Sequence, residues 1–289
     1  MKNTLNYNYM IKELRRFFQE KKGFIEVPSQ ARTSILAACE QPKTITDYSI
    51  GGKTFPLPQT GQMWLEYEML KNPSWPGVFC ITTSYRDEKN PIQGRHERVF
   101  PMFEFESLGG FEELKKLEKE LLAHLGFEEP ISIDYCQIAK NYETEILEAE
   151  HELSLAKQFG ASISLENFPG YTNPFWNMKQ GSNGLYNKID VLLHGMETIG
   201  SAERETDKNL MRERFFTIEN GEYSNLLFSR YGQDRVIAEL DEYLSLDMVK
   251  RFGAGIGVTR LERAMELSNL LPSSTEFINF RPAIPQVSL

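Results

Sequence analysis

Three glycines at alternate positions, Gly253, Gly255 and Gly257, precede an arginine three residues further on, Arg260. Alternate residues of a β-strand lie on one face, so this spacing predicts a strand with one face free of side chains. If a helix follows, Arg260 lies in its first turn, where unpaired N–H groups and the helix dipole favour an anion. The pattern predicts a nucleotide-phosphate site, but taken alone it is equally compatible with a glycine-rich bend beside a surface arginine.

A second group of candidate ligands lies on a predicted hairpin. Residues 78–85 and 98–107 are rich in aromatic and β-branched side chains, which favours two strands joined by a polar loop. Arginine suits phosphate binding because its planar fork pairs with two oxygens and keeps its charge. The candidates for phosphates and adenine on this hairpin are Arg86, Arg95, His96 and Phe100. Each of them alone would be equally compatible with a solvated loop charge or a core aromatic.

The order of the remaining elements predicts the fold class. Strands follow one another and helices occur in groups, which favours a mixed or antiparallel α+β sheet flanked by helices over a regular βαβ winding. Gly126 is expected to end the helix that carries Leu114 to Leu125. Further helices are predicted at 9–22, 144–159, 206–214 and 233–246, and another is predicted to end near residue 70. Further strands are predicted at 24–30, 162–169 and 186–200.

Composition bounds the class of protein. The 289 residues are 40% hydrophobic and 25% charged, which predicts one globular domain over 1–289. No secretory signal or long apolar segment is apparent, so we expect a cytoplasmic protein without a membrane partner. The net charge of −9 gives no footprint for DNA, although a local basic strip for RNA can coexist with it. Cys39, Cys80 and Cys136 lack disulfide or zinc spacing, which predicts reduced structural cysteines.

Taken in order, these segments resemble the catalytic core of class II aminoacyl-tRNA synthetases. The first helix with GFIEVP, ending at Pro28, is similar to motif 1. SYRDE, the loop to RHE and FPMFEFE are similar to motif 2, and GAGIGVTRLER is similar to motif 3. The resemblance covers about residues 8–285. It implies ATP and Mg²⁺ as cofactors, and a homodimer formed through motif 1, whose helix carries an apolar face of Met10, Leu14, Phe17 and Phe18.

The resemblance implies roles at the ATP site. Arg86 would stabilise charge on the α-phosphate, Arg260 would hold the tail phosphates with Arg95 or His96, and Glu197 would bind Mg²⁺ together with Asp190. The implied catalytic residues are Arg86, Arg260 and Glu197, and the implied ATP-binding residues are Arg86, Glu88, Arg95, His96, Phe100, Glu197, Gly255, Gly257 and Arg260.

The two implied metal ligands need a particular local structure. Asp190 and Glu197 are an odd number of residues apart, so a regular strand would place them on opposite faces. We therefore expect a bulge, or a turn at Gly195, to bring them together.

Within the family, the chain resembles the aspartyl, asparaginyl and lysyl subgroup, and most of all its asparaginyl branch. Arg204 stands where an arginine holds the substrate side chain, which disfavours lysine by charge repulsion. The alternative is that Arg204 pairs with Glu203 or Glu205 at the surface. Leu65 replaces a lysine of the aspartyl branch, which favours asparagine over aspartate. The implied amino-acid-binding residues are Thr60, Gln62, Glu66, Glu104 and Arg204, with Glu104 receiving the α-ammonium group.

The sequence departs from the subgroup in two respects. Val99 stands where a glutamate usually precedes the adenine-stacking phenylalanine, and motif 1 begins almost at residue 1, so we expect no N-terminal anticodon-binding barrel. Three functions remain open. The chain is a ligase that charges the acceptor end of tRNA, a ligase with another acceptor such as ammonia, a protein or a small amine, or a non-catalytic binding module. Arg86, Glu197 and Arg260 disfavour the last.

Overall fold

The computed structural model describes residues 3–29, 33–37 and 40–273. Its strands are β1 Ile25–Glu26, β2 Asp47–Ile50, β3 Lys53–Pro56, β4 Gly77–Tyr85, β5 Val99–Leu108, β6 Ile131–Asp134, β7 Ser162–Phe168, β8 Tyr186–Leu193, β9 Glu197–Glu203 and β10 Arg251–Gly257. Its helices are α1 Thr4–Arg15, continued by π-helical turns over Arg16–Lys21, α2 Gln62–Lys71, α3 Phe111–Leu125, α4 Tyr135–Asn141, α5 Ala149–Phe159, α6 Lys208–Thr217, α7 Glu222–Tyr231, α8 Gln233–Ser245 and α9 Val258–Leu267.

An eight-stranded sheet in the order β1-β4-β5-β10-β9-β8-β7-β6 forms the centre of the molecule. The six central strands, β4, β5, β10, β9, β8 and β7, each pair antiparallel with their neighbours in this order. The edge strands β1 and β6 pair parallel, with β4 and β7 respectively. Helices cover the sheet, so the predicted α+β class with a flanked antiparallel sheet is confirmed. None of the helices in the described residues is both long and apolar enough to cross a membrane.

Strand β5 separates the apolar core from the polar face of the sheet. Phe103 and Phe105 are fully buried against α1, α3 and α9, whereas Glu104 and Glu106 alternate with them on the opposite face. The apolar side of α1 joins the same core, since Met10, Leu14, Phe17 and Phe18 are buried within this chain. An intramolecular core contact therefore explains that apolar face, and the homodimer remains a prediction from the resemblance.

The register of the central strands sets out two rows of residues across the polar face. Paired residues on neighbouring strands point to the same side of a sheet. The first row runs Glu104, Gly255, Gly200, Asp190, and the second runs Glu106, Gly253, Ala202, Lys188. Small residues thus form a floor with charged side chains at both ends of each row.

At Gly253, another side chain fills the space that a side chain of residue 253 would need. A Cβ atom at residue 253 would lie 1.7 Å from Oε2 of Glu106 and 2.7 Å from the carbonyl oxygen of Phe105. The sequence pattern predicted open space for a ligand along this strand, but at Gly253 the space holds the carboxylate of Glu106.

Several element boundaries differ from the prediction. The helix predicted over 144–159 begins only at Ala149, and α4 precedes it, with Asp134 accepting a hydrogen bond from the backbone N–H of Gln137 at 3.1 Å. Helix α7 was not predicted; it follows a turn in which Glu219 and Asn220 have left-handed backbones. The strand predicted at 24–30 is limited to Ile25–Glu26.

Two cysteines agree with the prediction of reduced, structural thiols. Cys80 and Cys136 are free, and burial raises the pKa of the Cys80 thiol well above its usual value. Cys39 lies outside the described residues.

Substitution of Glu118 tests the cost of a buried carboxyl beneath the sheet. Glu118 lies on α3 with 2% of its surface exposed, and burial raises its pKa to about 8. Unfolded, it ionises near pH 4.3, so the free energy of unfolding should fall as pH rises from about 4.3 to 8. We expect Glu118→Gln to reduce this slope by the share of one carboxyl group and to stabilise the fold at pH 7 by about 1 to 3 kcal/mol in urea unfolding.

The matched control for this variant is Glu112→Gln, which changes a carboxylate of the same helix whose side chain is 81% exposed. It should leave the slope in place. A Glu118→Gln variant with the wild-type pH dependence would contradict the assignment.

Substitution of Gly253 by alanine tests the close approach of Glu106. The added methyl group would overlap the Glu106 carboxylate and the backbone of β5, so we expect a loss of about 2 to 3 kcal/mol in the free energy of unfolding. Gly170→Ala is the control, because a Cβ there meets nothing nearer than Cε2 of Tyr186 at 3.8 Å. Equal stability of the two variants would refute the steric argument.

Candidate active site

One cavity of about 410 Å³ opens over the floor of small residues. Every residue that the sequence analysis assigned to ATP, the amino acid or the metal lines it. These residues are Thr60, Gln62, Glu66, Arg86, Glu88, Arg95, His96, Phe100, Glu104, Asp190, Glu197, Arg204, Gly255, Gly257 and Arg260. The fold therefore brings together side chains that are up to 200 positions apart in the sequence, while their individual roles remain predictions.

Arg204 lies at the base of the cavity, where two side chains accept hydrogen bonds from it. Its Nε and Nη2 donate to the two carboxylate oxygens of Glu106 at 3.1 and 3.2 Å, and Nη2 also donates to Oε1 of Gln62. Glu203 instead accepts from Asn187, and Glu205 pairs with Lys179. The alternative of a surface ion pair for Arg204 is thus wrong, because Arg204 is only 5% exposed and pairs with Glu106.

Glu66 supports this arrangement from below. Its Oε1 accepts from Asn177 at 2.6 Å, and its Oε2 accepts from the Tyr243 hydroxyl at 2.6 Å and from Arg251 at 2.5 Å. Burial alone would raise the pKa of Glu66, but the charges of Arg251 and Arg204 and the hydrogen bonds from Tyr243 and Arg251 lower it. Both oxygens already accept from the protein, so Glu66 reaches a substrate only by exchanging one of these bonds.

Glu106 is ionised less readily than Glu66. Burial, opposed by Arg204 and reinforced by the negative charge of Glu66, raises the pKa of Glu106 to about 7. Its ion pair with Arg204 favours the charged form. Near pH 7 a small change of pH therefore alters the charge of Glu106.

Sequence reasoning missed four members of this network: Glu106, Asn177, Tyr243 and Arg251. Glu106 had a signal, because acids two residues apart on a strand share a face with each other, and Glu104 was already a candidate. Arg251 directly precedes the glycine-rich strand, but its complete burial could not be read from position. Asn177 and Tyr243 reach Glu66 across 111 and 177 residues of sequence.

Glu104 lies at the next position along the same face, closer to the phosphate-binding candidates. Its oxygens accept from the hydroxyls of Thr60, at 2.5 Å, and Thr82, and from the backbone N–H of Gly61 at 2.8 Å. Burial raises the pKa of Glu104, although the three hydrogen bonds act to lower it. A carboxylate fixed in this way offers a rigid acceptor for an ammonium group.

The opposite end of the cavity collects cations, each held by a protein carboxylate. Nη2 of Arg86 lies 2.6 Å from Glu40, and its guanidinium carbon lies 5.8 Å from the centre of the Phe100 ring. Nη2 of Arg95 lies 2.6 Å from Glu152. Sequence reasoning missed both carboxylates, since their partners are 46 and 57 residues away.

Arg260 and His96 complete the cationic end. Arg260 donates to the Glu197 carbonyl oxygen at 2.8 Å, and its Nη1 lies 3.5 Å from Oε2 of Glu197. Burial and the charges of Arg260, Arg95 and Arg86 lower the pKa of His96 against the opposing effect of Glu88. Arg95 is therefore a better partner than His96 for a phosphate at neutral pH.

The candidate metal ligands are brought together by the local structure that their spacing requires. The β8–β9 register shifts between Val191 and Leu192, and Gly195 has a positive φ of 71° in the connecting turn. A Cβ on Gly200 would lie 2.9 Å from Oε1 of Glu197 and 3.7 Å from Oδ1 of Asp190, so both carboxylates lie beside it. The predicted bulge and turn are confirmed.

The two carboxylates fit Mg²⁺ unequally. Oδ1 of Asp190 is buried without a hydrogen-bond partner, and carboxylate oxygens are the ligands that Mg²⁺ prefers. However, burial raises the pKa of Asp190 to about 7, whereas Arg260 and Lys188 override burial and lower the pKa of Glu197. Glu197 is thus the more readily ionised ligand. The described residues contain no cluster of three or more metal-binding side chains.

Comparison with known proteins places the fold. Asparaginyl-tRNA synthetase from Pyrococcus horikoshii, complexed with asparaginyl-adenylate, superposes with a TM-score of 0.73 at 19% identity over 90% of this chain and 64% of that chain. Asparaginyl-tRNA synthetase from Entamoeba histolytica gives 0.67 at 18% identity over 90% and 63%. A putative aspartyl-tRNA synthetase from Leishmania major gives 0.70 at 16% identity over 92% and 62%.

The chain spans less than two thirds of the length of these three proteins. No curated protein sequence matches it. A family model described as tRNA synthetases class II (D, K and N) matches residues 1–270. Together with the fold and the ordered motifs, this match shows that the chain belongs to the class II tRNA synthetases of the D, K and N group.

Proposed function

We propose that this chain is an ATP-dependent ligase that activates asparagine as an aminoacyl-adenylate and releases pyrophosphate, with aspartate as the alternative amino acid. The observation that carries the proposal is the buried Arg204–Glu106 pair at the base of the same cavity whose other end holds Arg86, Arg260 and Phe100. The Arg204–Glu106 end suits the amino acid, and the opposite end suits ATP. The complex of the Pyrococcus horikoshii protein with asparaginyl-adenylate supports it.

In the proposed reaction a carboxylate oxygen of the amino acid attacks the α-phosphorus of ATP, and the bond to pyrophosphate breaks. Arg86 stabilises the charge that develops on the α-phosphate, and Arg260 and Arg95 bind the tail phosphates. Glu104 accepts from the α-ammonium group. Glu197 would hold Mg²⁺, which when bound supplies positive charge to the phosphates. The rest of the catalysis is positioning.

Charge at the base of the cavity supports an amide over a carboxylate. When Glu106 is ionised, as its ion pair with Arg204 favours, Glu66 and Glu106 balance the charges of Arg204 and Arg251 there. The side-chain carboxylate of aspartate would add an unbalanced buried charge, whereas the side-chain amide of asparagine adds none. Its oxygen can accept from Arg204 and its NH₂ group can donate to Glu106. A lysine ammonium would meet the charge of Arg204.

The acceptor of the activated amino acid separates two forms of the proposal. The family and the structural relatives favour the acceptor end of tRNA. The net charge of −9 favours instead a small amine such as ammonia, which needs no basic surface. A non-catalytic binding role is disfavoured, because Arg86, Glu197 and Arg260 all line the cavity. We further propose that residues 1–289 form one catalytic domain and that this domain works as a homodimer.

Amino-acid-dependent ATP–pyrophosphate exchange tests the proposed function. Asparagine should support exchange best, aspartate at least tenfold less well and lysine not at all, because of the balanced charges at the base of the cavity. Exchange with lysine but with neither asparagine nor aspartate would overturn the proposal.

The same assay tests the role of Arg86. Loss of one charge-stabilising donor costs about 10²- to 10³-fold in rate, so Arg86→Gln should lower asparagine-dependent exchange by that factor. Arg212→Gln is the control, since Arg212 is an exposed arginine on α6 that pairs with exposed Asp241. Similar exchange rates in the two variants would remove Arg86 from the reaction.

Acceptor assays decide between the two forms. Incubation of the chain with ATP and asparagine should yield aminoacylated product from total tRNA if the acceptor end is the substrate. The ammonia form applies to aspartate, the alternative amino acid, activated at its side-chain carboxylate. Ammonia would then displace AMP, so this form predicts asparagine from aspartate, ATP and ammonium without charging of tRNA. Product in neither assay, with exchange intact, would point to a protein or small-molecule amine.

A further inference from the structure

Lys188 lines the cavity, and the proposed reaction gives it no role. It lies on β8 two residues before Asp190, on the same face, opposite Ala202 in the second row of the floor. Its side chain lines the cavity and is 20% exposed. A lysine here adds a fixed positive charge beside the two candidate metal ligands.

Two contacts hold the Lys188 ammonium in place. Its Nζ lies 2.5 Å from Oδ2 of Asp190, and it lies 3.6 Å from the centre of the Phe168 ring. A cation over an aromatic face is attracted by the ring, and Phe168 is itself buried at 5% exposure. The ammonium is therefore anchored from both sides, unlike a surface lysine.

This anchored ammonium competes with a metal ion for Asp190. Oδ2 of Asp190 is already engaged, and a divalent cation on the unpartnered Oδ1 of the same carboxylate would lie within a few ångströms of a like charge. Glu197 is held less closely, since Nη1 of Arg260 lies 3.5 Å from its Oε2, and its Oε1 lies beside Gly200, which carries no side chain. The two carboxylates thus differ in availability.

We propose that Lys188 is a built-in cation that occupies Asp190, so that Glu197, rather than the Asp190–Glu197 pair, binds the divalent ion at this end of the cavity. Lys188 is on this account a positioning residue that supplies one positive charge permanently. The inference rests on the proposed function for the place of the metal site, but it concerns metal binding and not turnover.

The test is Mn²⁺ binding to the full chain without nucleotide. The electron paramagnetic resonance signal of free Mn²⁺ measures how much of the ion remains unbound. Lys188→Met should raise Mn²⁺ affinity at least tenfold, because Asp190 becomes available. Lys188→Arg keeps the charge and should bind as the wild type does. Lys116→Met, which removes an exposed lysine of α3, controls for net charge. An unchanged affinity in folded Lys188→Met would overturn the proposal.

Two further variants link the effect to Asp190. The double variant Lys188→Met/Asp190→Asn should lose the gained affinity, and its retention would contradict the proposal. In the wild-type background, Asp190→Asn should weaken Mn²⁺ binding less than threefold and Glu197→Gln at least tenfold. This comparison decides the question even if Lys188→Met fails to fold, which a thermal melt detects, because equal losses in the two variants would sink the proposal.

Failure of this inference and failure of the proposed function are distinguishable. A chain without amino-acid-dependent exchange that still gains Mn²⁺ affinity in Lys188→Met would refute the reaction and retain the built-in cation. A chain that catalyses exchange but shows no gain would do the reverse.

Discussion

The buried ion pair between Arg204 and Glu106 is the interaction on which the arrangement of the site depends. A buried pair is stable only when further hydrogen bonds compensate the loss of water from both charges. Here Gln62 accepts from Arg204, and Glu66 lies 3.7 Å away, itself held by Asn177, Tyr243 and Arg251. The absence of a side chain at Gly253 makes room for the Glu106 carboxylate.

The sheet supplies the frame that makes this network possible. Alternation on β5 places Phe103 and Phe105 in the core and turns Glu104 and Glu106 toward the cavity. The register with β10, β9 and β8 then carries two rows from these acids to Asp190 and Lys188. The charges at the ends of these two rows are therefore fixed by the backbone hydrogen bonds of the sheet, which suits charge stabilisation without reorganisation.

Much of this site could be predicted from sequence, because its residues lie in segments with strong local patterns. The hairpin of β4 and β5, the strand before Arg260 and the turn at Gly195 each follow from alternation or from glycine spacing. The partners of these residues could not be predicted in the same way. Glu40, Glu152 and Asn177 have ordinary neighbours in the sequence, and only the tertiary fold brings them to Arg86, Arg95 and Glu66.

The short helices show the same limit. Helix α4 is only seven residues long and begins at the Asp134 cap, and α7 follows two residues with left-handed backbones. Neither feature has an extended periodic pattern, so tertiary contacts decide both. At Gly253, the glycine spacing indicated space on one face of the strand, but it did not indicate that the Glu106 carboxylate fills this space.

We propose that balanced charges at the base of the cavity select a neutral amide side chain. The most direct measurement is calorimetric binding of two non-hydrolysable sulfamoyl analogues of the adenylate, one asparaginyl and one aspartyl. The asparaginyl analogue should bind at least tenfold more tightly than the aspartyl analogue at pH 7.5. Equal affinities, or a preference for the aspartyl analogue, would contradict it.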